Sequence, residues 1–106
     1  MKLMTKAIRD ALPALYSTEE TPLAEKRVAV KFFNPCGAGT WLAVEGSEED
    51  DDTIFFGWAE IHPGCGEWGN FSLNELASVR LRFGLGIERD LYFGTPKFGE
   101  TEYATR

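Results

Sequence analysis

Five consecutive carboxylates, Glu48 to Asp52, form the densest group of side chains in the sequence that could bind an ion or a partner. Carboxylate oxygens are the ligands that Ca²⁺ and Mg²⁺ prefer. The run lacks the alternating spacing and the distal glutamate of a calcium-binding loop, and consecutive side chains cannot all point at one ion. A hard-cation site is therefore one alternative, beside a solvated turn and a surface for a basic partner.

Two cysteines and the one histidine supply the softer ligands. His62 and Cys65 have the spacing H-x-x-C, and Cys36 would have to fold over to join them. A structural zinc site normally needs four Cys or His ligands, so these three suit only a site with an open position, with Glu67 as a base. A cysteine nucleophile with His62 as base lacks an identifiable third group to orient it. We expect two ordinary thiols, no metal, no cofactor and no catalytic residues, with a small metal-dependent enzyme or zinc-binding protein as the alternative.

Charge is distributed unevenly along the chain, whose net charge is −6. Residues 1–31 carry a net charge of +2, residues 32–79 carry −9, and residues 80–106 carry +1. The middle segment contains no Lys or Arg. Its nine acids are Glu45, Glu48, Glu49, Asp50, Asp51, Asp52, Glu60, Glu67 and Glu75. Such a field argues against direct nucleic-acid binding, which normally needs a basic surface.

Alternating and helical patterns predict the elements that position these residues. Thr5 is a candidate N-cap for an apolar helical stripe that Pro13 should end near Leu12. RVAVKFFN, TWLAVE and TIFFGWAEI predict three strands, with a short fourth one around Trp68 to Phe71. Ser72 and Glu75 predict a capping box at the start of a second helix, and IERDLYFGTP predicts a final strand or extended edge.

These elements predict an α+β fold, an antiparallel meander of three to five strands with two helices packed on it. Gly46 to Asp52 then form the connection at the tip of a β-hairpin. The length of 106 residues favours a single domain over residues 1–106, with residues 1–4 and 95–106 as frayed ends. Without a long apolar run or a signal peptide, we expect a cytoplasmic protein of a bacterial cell.

Several segments resemble a known family. VKFFNP, IFFGWAE, FSLNEL and LGIERDLYFGTPK, preceded by IRDALPALYS, are similar to a bacterial family catalogued as domain of unknown function 2958, which is found on plasmids, phages and other mobile elements. The similarity covers roughly Leu3 to Lys97, while CGAGT and HPGCGEWGN depart from the family pattern. The resemblance implies no catalytic residues. It implies a mobile-element context, in which many short proteins, some of them acidic, interfere with restriction or CRISPR defence.

The charge map and the resemblance together predict a non-enzymatic inhibitor that binds the basic, nucleic-acid-binding surface of a host defence complex, as an anti-CRISPR or anti-restriction protein would. Carboxylates at positions i and i+2 of a strand lie about 6.6–6.8 Å apart, so an acidic strand can imitate a row of phosphates. The predicted partner-binding residues are Glu45, Glu48, Glu49, Asp50, Asp51, Asp52, Glu60 and Glu67. We expect a monomer that binds neither nucleic acid nor membrane. An accessory interaction protein of plasmid maintenance is a further alternative.

Overall fold

The computed structural model describes residues 1–105, which form a five-stranded antiparallel sheet with two short helices. In chain order, the elements are α1 (Lys6–Ala11), β1 (Val30–Phe33), β2 (Thr40–Glu49), β3 (Asp52–Glu60), β4 (Glu67–Ser72), α2 (Leu73–Ser78) and β5 (Glu88–Arg89). Single 3₁₀ turns occur at Leu23–Glu25, Arg82–Gly84, Phe98–Glu100 and Glu102–Thr105. The strand order is β4-β3-β2-β1-β5. The predicted α+β fold is confirmed.

Local signals position both helices. The Thr5 hydroxyl accepts a hydrogen bond from the Ile8 N–H at 3.1 Å, and α1 ends before Pro13 as expected. The Ser72 hydroxyl caps α2 by accepting from the Glu75 N–H at 3.1 Å. Across residues 1–105, no helix combines the length and the apolar character needed to cross a membrane.

The hairpin of β2 and β3 is longer than predicted. The ladder continues through Glu48 opposite Thr53 and Glu49 opposite Asp52, so only Asp50 and Asp51 form the turn. The predicted connection from Gly46 to Asp52 was therefore too long. Charged side chains at the end of a strand can point into water while the backbone groups of the same residues still pair with the neighbouring strand.

The two faces of the sheet bury separate apolar clusters. The helices cover the first cluster, in which Phe32 and Phe55 are fully buried with their ring centroids 5.6 Å apart. The second cluster lies on the opposite face, where Trp58 packs against Phe98 from the C-terminal segment. Both faces of β3 are apolar in sequence because both are covered.

The predicted frayed ends are wrong for the described residues. Leu3 and Met4 belong to the first cluster, and Phe98 and Tyr103 belong to the second. The C-terminal segment also continues the sheet edge, since the Val28 N–H donates to the Pro96 carbonyl at 2.8 Å. A polar composition suggested fraying, but a few apolar side chains are enough to dock a terminus. The end of the predicted tail, Arg106, lies outside the described residues.

Candidate protein-binding site at the acidic hairpin tip

Four exposed carboxylates project from the end of the β2–β3 hairpin: Glu48, Glu49, Asp50 and Asp51, called here the acidic tip. The turn places Asp50 in the left-handed region, with φ +56°. Aspartate adopts that conformation more readily than most residues, so Asp50 is compatible with a tight turn at this position. The result is a compact negative projection on a short turn.

Asp52 anchors the base of the acidic tip, because its carboxylate is already engaged in hydrogen bonds within the protein. Its Oδ1 accepts hydrogen bonds from the Thr53 N–H at 2.7 Å and the Asn74 N–H at 2.9 Å, and its Oδ2 accepts from the Ser72 hydroxyl. The bond from Ser72 and the backbone donors together outweigh the effect of burial and lower the pKa of Asp52. Asp52 therefore joins the hairpin to the first turn of α2.

A small polar hollow lies beside the acidic tip. It has a volume of about 290 Å³ and lies between Arg9 of α1, the turn, and Asn74 of α2. Arg9 forms an ion pair with Glu48. Among residues 1–105, Glu48 is the one carboxylate of the acidic tip within ion-pair distance of a cation. The tip therefore keeps most of its negative charge.

Glu45 is buried, which corrects its predicted place on a partner-binding face. Its relative exposure is 3%. It accepts hydrogen bonds from the Tyr16 N–H at 2.8 Å and the Thr18 N–H at 3.2 Å, and Lys26 Nζ lies 3.7 Å from its Oε2. Burial alone would raise the pKa of Glu45, but these donors, the Thr18 hydroxyl and the Lys26 charge lower it overall. Glu45 holds the segment before β1 onto the sheet.

A β-bulge in β2 turns the Glu45 side chain into the protein. The register of β2 against β3 shifts between Ala43 and Glu45, so that Val44 and Glu45 both turn towards the face of the second cluster. Without the extra residue, the period of two would place Glu45 on the same face as Ala43.

Glu60 and Glu67 also lie outside the acidic tip. Glu60 is 5% exposed and pairs with Thr40, at the far end of the hairpin. Glu67 is exposed, but it pairs with Ala59, seven residues along β3 from Asp52 and thus about 23 Å away. The predicted acidic face is therefore limited to the acidic tip. Glu45 and Glu60 are buried, and Glu67 lies at the opposite end of the sheet from the tip.

The part of the chain that the structure describes does not group the ligands that a hard-cation site or a zinc site would need. Within residues 1–105, no three or more side chains of His, Cys, Asp or Glu are grouped so that they could hold a metal ion. Cys36 lies in the turn between β1 and β2, and His62 and Cys65 lie in the turn between β3 and β4. Those turns are at the same end of the sheet, yet they do not bring the three side chains together as a zinc site requires.

Sequence patterns missed Arg9, Tyr16 and Lys26, which the fold brings to these carboxylates. Arg9 meets Glu48 across 39 positions, and Tyr16 meets Glu45 across 29. Neither separation corresponds to a helical or strand period, so no local pattern could have predicted the contacts.

A family model described as a protein of unknown function (DUF2958) matches residues 3–105. The chain belongs to this family. In this DUF2958 member, the segment LGIERDLYFGTPK contains β5 and the loop that leads to the C-terminal segment. No curated protein and no solved structure matches the chain.

Proposed function

We propose that this DUF2958 protein is a non-enzymatic inhibitor whose acidic tip occupies a basic, nucleic-acid-binding surface of a bacterial defence complex of the CRISPR or restriction type. The observation that carries the proposal is the geometry of the tip. Four consecutive carboxylates are exposed on a short turn, and Asp52 fixes the base of that turn to α2. The family's occurrence on mobile elements, implied by the sequence resemblance, supports the choice of a defence complex.

Charge favours a basic partner. Like charges this close repel one another, and contact with a positive surface relieves that repulsion. Complementary potentials also speed encounter and discriminate against wrong partners. In the described part of the chain, Arg9 pairs with Glu48 and no cation pairs with the other three carboxylates, so these three can face a partner.

The proposed contact is narrower than a full imitation of a DNA strand. With Glu45 and Glu60 buried, regularly spaced acids do not follow the length of β2 and β3. The acidic tip instead inserts as a single projection, and it competes with nucleic acid at a limited part of the partner's groove.

The test uses a variant that neutralises the acidic tip, E48Q/E49Q/D50N/D51N, and leaves Asp52 intact because of its structural bonds. Immobilised wild-type and variant chains are exposed to lysate of a bacterium that carries active CRISPR and restriction systems. Double-stranded DNA then elutes proteins whose nucleic-acid-binding surface is engaged. We expect the wild type to retain a defence-complex subunit that DNA releases, and the tip variant to retain none.

A matched control removes the same number of charges elsewhere. The variant D10N/E20Q/E25Q/E67Q neutralises four exposed carboxylates outside the acidic tip. This variant should bind the partner as the wild type does if binding depends on the position of the carboxylates and not only on the net charge of the protein. Equal loss in both variants, or retention by the tip variant, contradicts the proposal.

Inhibition is measured separately in cells. Expression of the wild-type chain should restore transformation by a plasmid that the host's CRISPR or restriction system normally destroys, and the tip variant should not. Binding without restored transformation would leave an acidic binding protein with a role other than inhibition of defence.

A further inference from the structure

A second hollow, separate from the acidic tip, lies on the face of the sheet that carries Phe56 and Glu45. Its volume is about 400 Å³. Tyr16, Leu23 and Phe56 supply apolar walls, and its lining is mostly apolar. This combination of an apolar hollow with a few fixed polar groups is the usual form of a ligand site.

The wall at Tyr16 is held in a costly conformation. Tyr16 has φ +68°, which bulky side chains rarely adopt, and the residue is 65% exposed. Two hydrogen bonds hold the strained segment, from the Tyr16 N–H to Glu45 and from the Leu15 N–H to the Ser47 hydroxyl at 2.9 Å. Strain of this kind persists where surrounding contacts over-determine the backbone, often at binding sites.

The floor of the hollow is a buried ion pair, Lys26 with Glu45. Lys26 Nζ also donates to the carbonyl and the hydroxyl of Thr18, the latter at 2.7 Å. Glu45 is occupied by Lys26 and by donors from Tyr16 and Thr18. The pair is neutral as a unit and fully engaged, so the exposed carboxylate of Glu19 determines the net charge of the hollow, which is negative.

We propose that this hollow binds one cationic side chain of the lysine or arginine type, supplied by the basic partner. The aliphatic stem packs against Leu23 and Phe56, and the charged head lies over the Tyr16 ring, near the Glu19 carboxylate. That the cationic side chain comes from the basic partner rests on the proposed function. The preference of the hollow for an organic cation does not rest on it.

The position of the hollow fits the same partner surface as the acidic tip. Glu45 and Glu49 are four residues apart on β2, which is about 13 Å along the strand. One basic surface can therefore contact both places. The acidic tip supplies diffuse attraction, and the hollow supplies a specific pocket for a single anchor residue.

The test titrates n-butylguanidinium chloride into isotope-labelled protein and follows the NMR signals of Tyr16, Leu23 and Phe56. N-acetyl-norleucine amide serves as the neutral probe and pentanoate as the anionic one. We expect saturable shifts with the cation and markedly weaker binding of both other probes.

Tyr16→Gly is the informative variant, because glycine accepts the positive φ while the ring is removed. Loss of a cation–π contact of about 1.4 kcal/mol weakens butylguanidinium binding about tenfold. Glu19→Gln should weaken it less and reduce its dependence on salt. Tyr92→Ala, which removes an exposed tyrosine elsewhere, is the matched control and should leave binding unchanged.

The two proposals fail in different ways. Equal binding of the neutral probe, or unchanged affinity in Tyr16→Gly, overturns the cation pocket even if capture still depends on the acidic tip. Butylguanidinium binding that persists while capture proves independent of the tip overturns the proposed function instead, and the hollow is then a site for a free organic cation.

Discussion

At the scale of single residues, hydrogen bonding separates Glu45 and Asp52 from the carboxylates of the acidic tip. Glu45 and Asp52 accept hydrogen bonds from backbone N–H groups and hold other segments in place. The acidic tip remains exposed, and within residues 1–105 Arg9 is the one cation at ion-pair distance from it. Residues of one chemical type therefore have different roles, which follow from the donors around them.

Asp52→Ala should destabilise the protein at pH 7, because the Ser72 hydroxyl and the Asn74 N–H lose their acceptor. The pKa of Asp52 is lowered in the folded state, so its stabilising effect is complete above the unfolded value of about 3.9. That effect is lost as the pH falls from there through the folded pKa. Urea unfolding at several pH values should show a difference between wild type and variant that shrinks in acid.

Asp51→Ala is the control for this measurement. The bond between Asp51 and α2 uses the backbone carbonyl, which the substitution retains. Its stability should stay near that of the wild type at every pH. A difference for Asp52→Ala that is constant down to strong acid would contradict the assigned role of the Asp52 carboxylate.

At the scale of elements, close packing of β2 against β3 supports the hairpin that carries the acidic tip. Gly57 lies opposite Ala43, and a Cβ atom there would lie 1.8 Å from the Leu42 carbonyl oxygen. Because that oxygen belongs to the backbone of the neighbouring strand, no side-chain rotation can make room.

Gly57→Ala should therefore destabilise the protein by about 3 kcal/mol or more, at the upper end of overpacking costs. Gly69 is its partner on β4, and a Cβ atom there would have no heavy atom within 4 Å. Gly69→Ala should be neutral or stabilising by up to about 1 kcal/mol, since alanine loses less entropy on folding. Thermal and urea unfolding compare the two variants, and similar effects would contradict this packing.

At the scale of the whole molecule, the chain ends complete the two apolar clusters. Met4 fills part of the first, and Phe98 and Tyr103 close the second over Trp58 and Trp68. A sheet with two apolar faces needs a cover on each, and the helices cover one only. The termini are thus part of the folded core.

Two Phe→Ala variants test this role. Phe98 is 6% exposed, and Phe98→Ala should cost about 3–5 kcal/mol because it leaves a cavity against Trp58 and Trp68. Phe83 is 91% exposed, and Phe83→Ala should change stability by no more than about 0.5 kcal/mol. Urea unfolding measures both. A small effect of Phe98→Ala would mean that the C-terminal segment is not docked in solution.

Features that depend on near neighbours could be predicted from the sequence. Thr5 and Ser72 cap their helices through bonds to residues three positions on, and Pro13 ends α1. The β-branched and aromatic residues of RVAVKFFN and TIFFGWAEI predict strands, and their short connections make them antiparallel. Backbone preferences and the periodicity of apolar side chains involve residues only a few positions apart, so they can be recognised in the sequence. The same is true of the negative charge of residues 32–79.

Which of those charges face water depends on contacts between distant parts of the chain, and the sequence did not predict it. The bulge in β2 turns Glu45 towards Thr18 and Lys26, and the terminal segments bury Phe98 and Leu3 despite their polar surroundings in sequence. A charge is buried only where partners compensate for its lost hydration, and here those partners come from distant parts of the chain. Composition therefore predicted an acidic protein, while long-range packing left the acidic tip exposed and formed the separate hollow at Tyr16 and Phe56.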